Sequence, residues 1–195
     1  MRIGARSTLA DVAVAVGDAL RRAGIRAVLT GGACANLYSG GAYLSLDADF
    51  VLTGPCTTEE LDGTLGTLGF ERRRDRYIHR LVPFFVEFPR GPLGIGEDFR
   101  IRPVWRNRRA AKTLALSATD ACRDRLAAFY HWNDRQSLAA AGAIALRNRL
   151  ALGKVRNWSR REGHLEGYVI FLAELDQART AARRRGASRR SRPKR

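Results

Sequence analysis

Lysine is nearly missing from this chain. Only Lys112, Lys154 and Lys194 are lysines among its 35 cationic residues, so the basic character is almost entirely guanidinium. Cysteine is also sparse. Cys34, Cys56 and Cys122 are odd in number and far apart, which excludes zinc-ligand and redox spacings and fits a reducing compartment. His79, His131 and His164 lack a metal-ligand partner at suitable spacing and read as ordinary surface or interface residues. No apolar run approaches the length of a membrane span. Asp11 and Asp18 interrupt the only N-terminal stretch that could resemble a signal core, so a cytoplasmic protein without a membrane partner is expected. No internal repeat is present.

What is there is positive charge. Nineteen carboxylates leave a formal charge of +16, and eight of the cations crowd into residues 183–195 without a single acid. A basic body with a basic tail suits a polyanion such as RNA. The run Arg102, Arg106, Arg108 and Arg109 adds to it, although such runs commonly form solvated surface. At 195 residues the chain suits one domain, or one domain with a helical annex.

Periodicity divides the chain. Apolar residues at helical spacing predict a helix over 7–23, and short apolar runs predict strands over 26–30 and 46–52. A helix begins after Gly31-Gly32, and another is capped by Thr57 or Thr58 and ends at Gly69. Strands are expected over 70–74, 76–79, 81–88 and 99–105, with helices over 119–132, 134–150 and 163–182. The implied class is α/β (α+β): a mixed β-sheet core flanked by helices over 1–110, a helical C-terminal bundle over 111–182, and a disordered basic tail over 183–195.

Chemistry concentrates in Val28-Leu-Thr-Gly-Gly-Ala-Cys-Ala-Asn-Leu-Tyr38 and Ser45-Leu-Asp-Ala-Asp-Phe-Val-Leu52. On a strand, Asp47 and Asp49 point the same way, because side chains alternate faces. Their oxygens suit Mg²⁺ or Mn²⁺, while the N–H groups at Gly31-Gly32, opening a helix, suit phosphate. Ser45 shares the strand face and can donate to a phosphate oxygen. Glu87, the lone acid in Phe84-Phe-Val-Glu-Phe88, is a third carboxylate, either as metal ligand or as base toward an acceptor hydroxyl. An ionised carboxylate amid apolar residues needs a cation, a partner or water. The bland reading puts Asp47 and Asp49 on the wet face of an edge strand; the whole combination is more specific than the Asp-x-Asp alone.

Gly31-Gly32-Ala33, Leu37-Tyr38 and Ser45-Leu-Asp-Ala-Asp49 resemble the nucleotidyltransferase superfamily of polymerase-beta-like fold, and within it the abortive-infection and toxin branch. The resemblance covers residues 25–55 and extends to 124–129 and 132–138. It implies an enzyme that transfers a nucleoside monophosphate from a nucleoside triphosphate to a macromolecular acceptor. That acceptor would be tRNA or another RNA, and the enzyme a toxin restrained by an antitoxin protein. It further implies that Gly31, Gly32 and Ser45 bind phosphate, that Asp47 and Asp49 hold metal with Glu87, and that Arg125 stands where a lysine usually meets the triphosphate. Asp134 matches a later helical acid of the branch or simply caps a helix. Tyr43 and Trp105 are candidates for base stacking or for core. Asp124, Arg125, His131, Trp132, Asp134 and Arg135 gather polar chemistry between the first two C-terminal helices, either as catalytic candidates or as a junction capped by Asp134 with a packed Trp132. The alternative function is a protein that keeps this fold without catalysis and binds RNA or a protein partner. An antitoxin-like or regulatory partner is a third reading.

Overall fold

A computed structural model describes residues 2–190, and side chains through residue 181. The helix α1 (Leu9–Arg22) opens on a capping box in which Thr8 and Asp11 satisfy each other's backbone N–H groups. Then follow β1 (Ala27–Leu29), α2 (Gly31–Ser39), β2 (Asp47–Leu52), α3 (Thr58–Gly66), β3 (Phe70–Arg73), β4 (Arg76–His79), β5 (Phe85–Glu87), β6 (Val104–Arg108) and β7 (Ala111–Ala115). Four helices complete the described residues: α4 (Ala118–Trp132), α5 (Arg135–Arg147), α6 (Leu152–Arg161) and α7 (Leu165–Arg190). None of them is long and apolar enough to cross a membrane.

The seven strands form one mixed sheet in the order β3-β4-β5-β2-β1-β7-β6. β2 runs parallel to β5 and β1 parallel to β7; the other neighbours are antiparallel. Register separates the faces. Leu29, Ala48, Phe50 and Val86 lie on one face and are fully buried, with Thr113 and Ala115 alongside them. The helix α1 covers this face so closely that a Cβ on Gly17 would overlap the Thr113 hydroxyl. Asp62 of α3 accepts from Tyr77 and Arg72 on the same side. Asp47, Asp49 and Glu87 occupy the opposite face.

The α/β class with helices on the sheet and a helical C-terminal part is what the structure shows. Several boundaries differ. The strand expected over 99–105 is displaced; β6 begins only after Pro103, which cannot donate to a ladder, keeps Val104 and Trp105, and turns at Arg109 (φ 54°) into β7. β7 lies between β1 and β6, so the sheet continues past residue 110. The strand expected over 81–88 shrinks to β5 because Pro83 sits in its first half. The helix α6 was not expected, although Leu152, Val155 and Trp158 keep helical spacing. The helix α7 runs to Arg190 where a disordered tail was expected from 183; residues 191–195 of that tail lie outside the described residues.

Buried ion pairs join the two parts. The fully buried guanidinium of Arg123 donates to Asp120 at 2.8 Å and to Asp98 at 2.6 Å, and Lys154 donates to Asp120 at 2.8 Å. The Trp158 indole donates to the Ile95 carbonyl at 3.2 Å. The loop after β5 is thereby fastened to α4 and α6. At the other end, Arg108 of β6 donates to Asp11 at 2.7 Å. Burial pushes the Asp11 carboxyl up, but the Arg108 and Thr8 hydrogen bonds outweigh it and bring the pKa down to about 2. Hydrogen bonds likewise outweigh burial at Asp98 and Asp120, which are also lowered. A depressed carboxyl contributes stability above its unfolded pKa and loses it as pH falls through the folded one. Urea midpoints should therefore drop as pH falls from 3.8 toward about 2. Arg108→Ala should flatten part of that drop while lowering the midpoint at neutral pH.

Candidate active site

The site is built where β1 gives way to α2. Thr30 pairs its N–H with the Asp49 carbonyl at 2.9 Å, locking the end of β1 to β2. The next residue, Gly31, takes φ 61°, a left-handed conformation that glycine adopts without a Cβ penalty. A Cβ at Gly31 would overlap Asp49 Oδ2, and one at Gly32 would sit 2.7 Å from Ser45 Cβ and 3.2 Å from the Tyr43 ring. The two glycines thus let backbone N–H groups approach the carboxylates and the 43–45 loop. Thr30 makes no side-chain cap on α2, which leaves the helix start without a side-chain acceptor.

Asp47 and Asp49 are half-buried on β2, and the parallel pairing of β2 with β5 sets Asp47 beside Phe85 and Asp49 beside Glu87. One carboxylate oxygen from each of Asp47, Asp49 and Glu87 lies within 4.8 Å of the others. Ser45 Oγ donates to Asp47 Oδ1. Burial, then the charges of Asp47, Glu87 and Asp124, push the Asp49 pKa up to about 7, with Arg125 acting against them. Three hard oxygen donors whose mutual repulsion raises a pKa in this way suit a divalent cation, which relieves that repulsion. The residues present therefore fit Mg²⁺ or Mn²⁺.

Arg125 of α4 reaches the same corner by an indirect route. Its guanidinium stacks 5.9 Å from the Tyr43 ring centroid, and Tyr43 covers Gly32. It hydrogen-bonds Asp124 at 2.8 and 3.0 Å. Asn36 of α2 holds the loop in place by donating to the Tyr43 carbonyl at 2.6 Å. The part of Asp124 and Tyr43 as the seat of Arg125 depends on packing between α2 and α4, which has no local signal in the sequence.

Other expectations resolve as structure. Asp134 caps α5, accepting from Gln136 N at 2.9 Å and Ser137 N at 3.2 Å. Trp132, expected to be packed, is 76% exposed. His79 is buried against Phe70, not at the surface. In the basic run, Arg106 lies over the Tyr38 ring at 4.7 Å and Arg108 is tied to Asp11, so both are engaged within the molecule. Trp105 lies under Lys112 at 5.1 Å, on β6 at the far edge of the sheet from the hairpin strands.

Comparison with known proteins finds no family model and no curated protein that matches this chain.

Two outcomes follow from the crowded carboxylates. The folded Asp49 titrates near 7 against 3.8 unfolded, so it costs stability as pH rises through that window. Asp49→Asn should therefore raise the melting temperature in EDTA at pH 8, and Mn²⁺ should raise the melting temperature of the wild type but not of Asp49→Asn. Gly31→Ala forces a Cβ into Asp49 and a strained backbone of about 1–2 kcal/mol; calorimetry should show weaker Mn²⁺ binding with a lower melting temperature.

Proposed function

We propose that this chain is a Mg²⁺-dependent nucleotidyltransferase that moves a nucleoside monophosphate from a nucleoside triphosphate to a hydroxyl of a macromolecular acceptor. The observation that carries the reading is the gathering of Asp47, Asp49 and Glu87 within 4.8 Å, beside the uncapped start of α2. The nucleotidyltransferase resemblance of residues 25–55, carried by the same glycines and aspartates, agrees with it. Extended to the toxin branch, it makes the acceptor tRNA or another RNA and the partner an antitoxin.

The divalent cation, when bound by the three carboxylates, supplies positive charge to the phosphate oxygens. The chain's own groups supply the rest. The N–H groups of Gly31 and Gly32 hold phosphate where a side chain would obstruct it, and the dipole of α2 favours the same charge. Ser45 offers its hydroxyl to a phosphate oxygen. Arg125, seated on Tyr43, offers a planar cation to the triphosphate. The acceptor oxygen attacks the α-phosphorus and forms the new P–O bond. The bond from that phosphorus to the bridging oxygen breaks, and pyrophosphate leaves with that oxygen. Glu87 takes the proton from the attacking hydroxyl.

Incubation with triphosphates labelled at the α-phosphate, Mg²⁺ and total RNA tests the reading. The wild type should label RNA, and Asp47→Asn and Asp49→Asn should abolish labelling. Glu87→Gln should slow transfer by about 10²–10⁴-fold, the usual contribution of a positioned base. If the wild type retains RNA but labels nothing, the protein is a binding module and the transferase reading fails.

A further inference from the structure

We propose that the bare sheet face beside the carboxylates, made by Phe85, Arg76 and Arg73, binds the single-stranded end of a polynucleotide acceptor. The proposal rests on the transferase reading for its direction, toward the carboxylates, and not for the contact itself.

Register carries the argument. Asp49 pairs with Glu87, Glu87 with Arg76, and Arg76 with Arg73, so these four residues form one row across β2, β5, β4 and β3. Within a row of paired residues, side chains share a face. Arg76 therefore stands one strand from Glu87, a spacing of about 4.8 Å between backbones. It nevertheless forms no ion pair with Glu87 within 4.0 Å; its guanidinium lies 4.9 Å from the centroid of Phe85, the register partner of Asp47. An arginine turned onto a ring this close to the carboxylates presents a flat cationic plane with N–H donors at its edge.

This face is uncovered. The helix α3 packs on the other side of the hairpin, where Asp62 accepts from Arg72 and Tyr77. On the carboxylate side Glu71, Arg73, Arg76 and Ile78 are exposed and Phe85 is half-buried. Residues 70–80 carry five arginines against Glu71 and Asp75. Arg72 is paired with Asp62 at 3.0 Å and Arg73 with Glu71 at 3.1 Å. Arg74, Arg76 and Arg80 have no ion pair among the described residues.

The chemistry selects the ligand. A flat, open strip that combines a ring, a stacked guanidinium and further arginines suits unpaired bases with their phosphodiesters. Paired bases cannot stack on it, and an acidic peptide would leave the Phe85–Arg76 platform unused. A strand lying on Arg73 and Arg76 has its terminal hydroxyl directed along the row to Glu87, where the proposed base stands. Two arginines of the β6 edge are less suited, because Arg106 and Arg108 are half-buried and Arg108 is tied to Asp11, whereas Arg73 and Arg76 are exposed.

Fluorescence anisotropy of the full chain with a short labelled single-stranded RNA in EDTA, across a salt series, tests the surface without catalysis. Arg73→Ala/Arg76→Ala should weaken binding at least tenfold. It should also reduce the slope of log K against log salt by about 1.4, since each single-strand phosphate contributes about 0.7. Arg76→Lys should keep the slope but bind several-fold more weakly, since it keeps the charge and loses the plane. The exposed pair Arg156→Ala/Arg160→Ala on α6 should change neither. Circular dichroism checks that each variant is folded. The proposal is overturned if the hairpin pair affects binding no more than the α6 pair, or if a duplex of the same sequence binds as tightly and loses as much. Failure of nucleotide transfer with this binding intact would remove the transferase reading and leave the surface standing.

Discussion

Repulsion among Asp47, Asp49 and Glu87 is the constraint around which the candidate site is arranged. Left in water, three carboxylates would separate. Here they are held together by backbone pairing, because the parallel β2–β5 ladder fixes Asp49 against Glu87 whatever their charges prefer. The cost appears in Asp49, whose proton is retained to about pH 7. A fold that accepts such a cost at one place must recover stability elsewhere. The fully buried apolar sheet face under α1 supplies stabilising burial of that kind.

The same ladder explains why so few residues need to be special. Once β1 ends at Leu29, the Thr30–Asp49 hydrogen bond brings the start of α2 over β2, and two glycines remove the atoms that would collide there. The loop carrying Tyr43 and Ser45 closes the corner from above, tethered by Asn36. Arg125 arrives from α4, so the helical part contributes a cation to a site otherwise made by the sheet. In the proposed reading, phosphate-directed groups come from α2, the 43–45 loop and α4, while metal-directed groups come from β2 and β5, a division that would hold a cation and a polyanion side by side.

Much of this was legible in the sequence for a simple reason: period two is a local property. Asp47 and Asp49 had to share a face once residues 46–52 were a strand, and Gly31-Gly32 at a strand end had to mark a turn into a helix. Glu87 was legible as an oddity, an acid in an apolar run. That it joins Asp47 and Asp49 is what a third carboxylate of the group implies; that its register partner is Asp49, by parallel pairing across 37 intervening positions, leaves no local trace. Arg76 was invisible for the same reason; only register puts it beside Glu87. The missed strand β7, Ala-Lys-Thr-Leu-Ala, has little intrinsic strand character and is held by its neighbours. The strand expected over 99–105 overlaps β6 only at Val104 and Trp105, because Pro103 cannot donate to a ladder. Trp132 misled because a large aromatic side chain at a helix junction is ordinarily packed.

The position of β7 has an evolutionary consequence. This strand is the last of the sheet in sequence yet an interior one in space, with β1 on one side and β6 on the other, and α4 begins three residues after it. Severed near residue 110, the first segment would present the naked edge of β1 to any passing chain and invite aggregation. The two regions are therefore sewn together rather than strung in series. Exchange of the helical region among lineages by recombination would have to break the chain after β7, at residues 116–117, to leave the sheet whole.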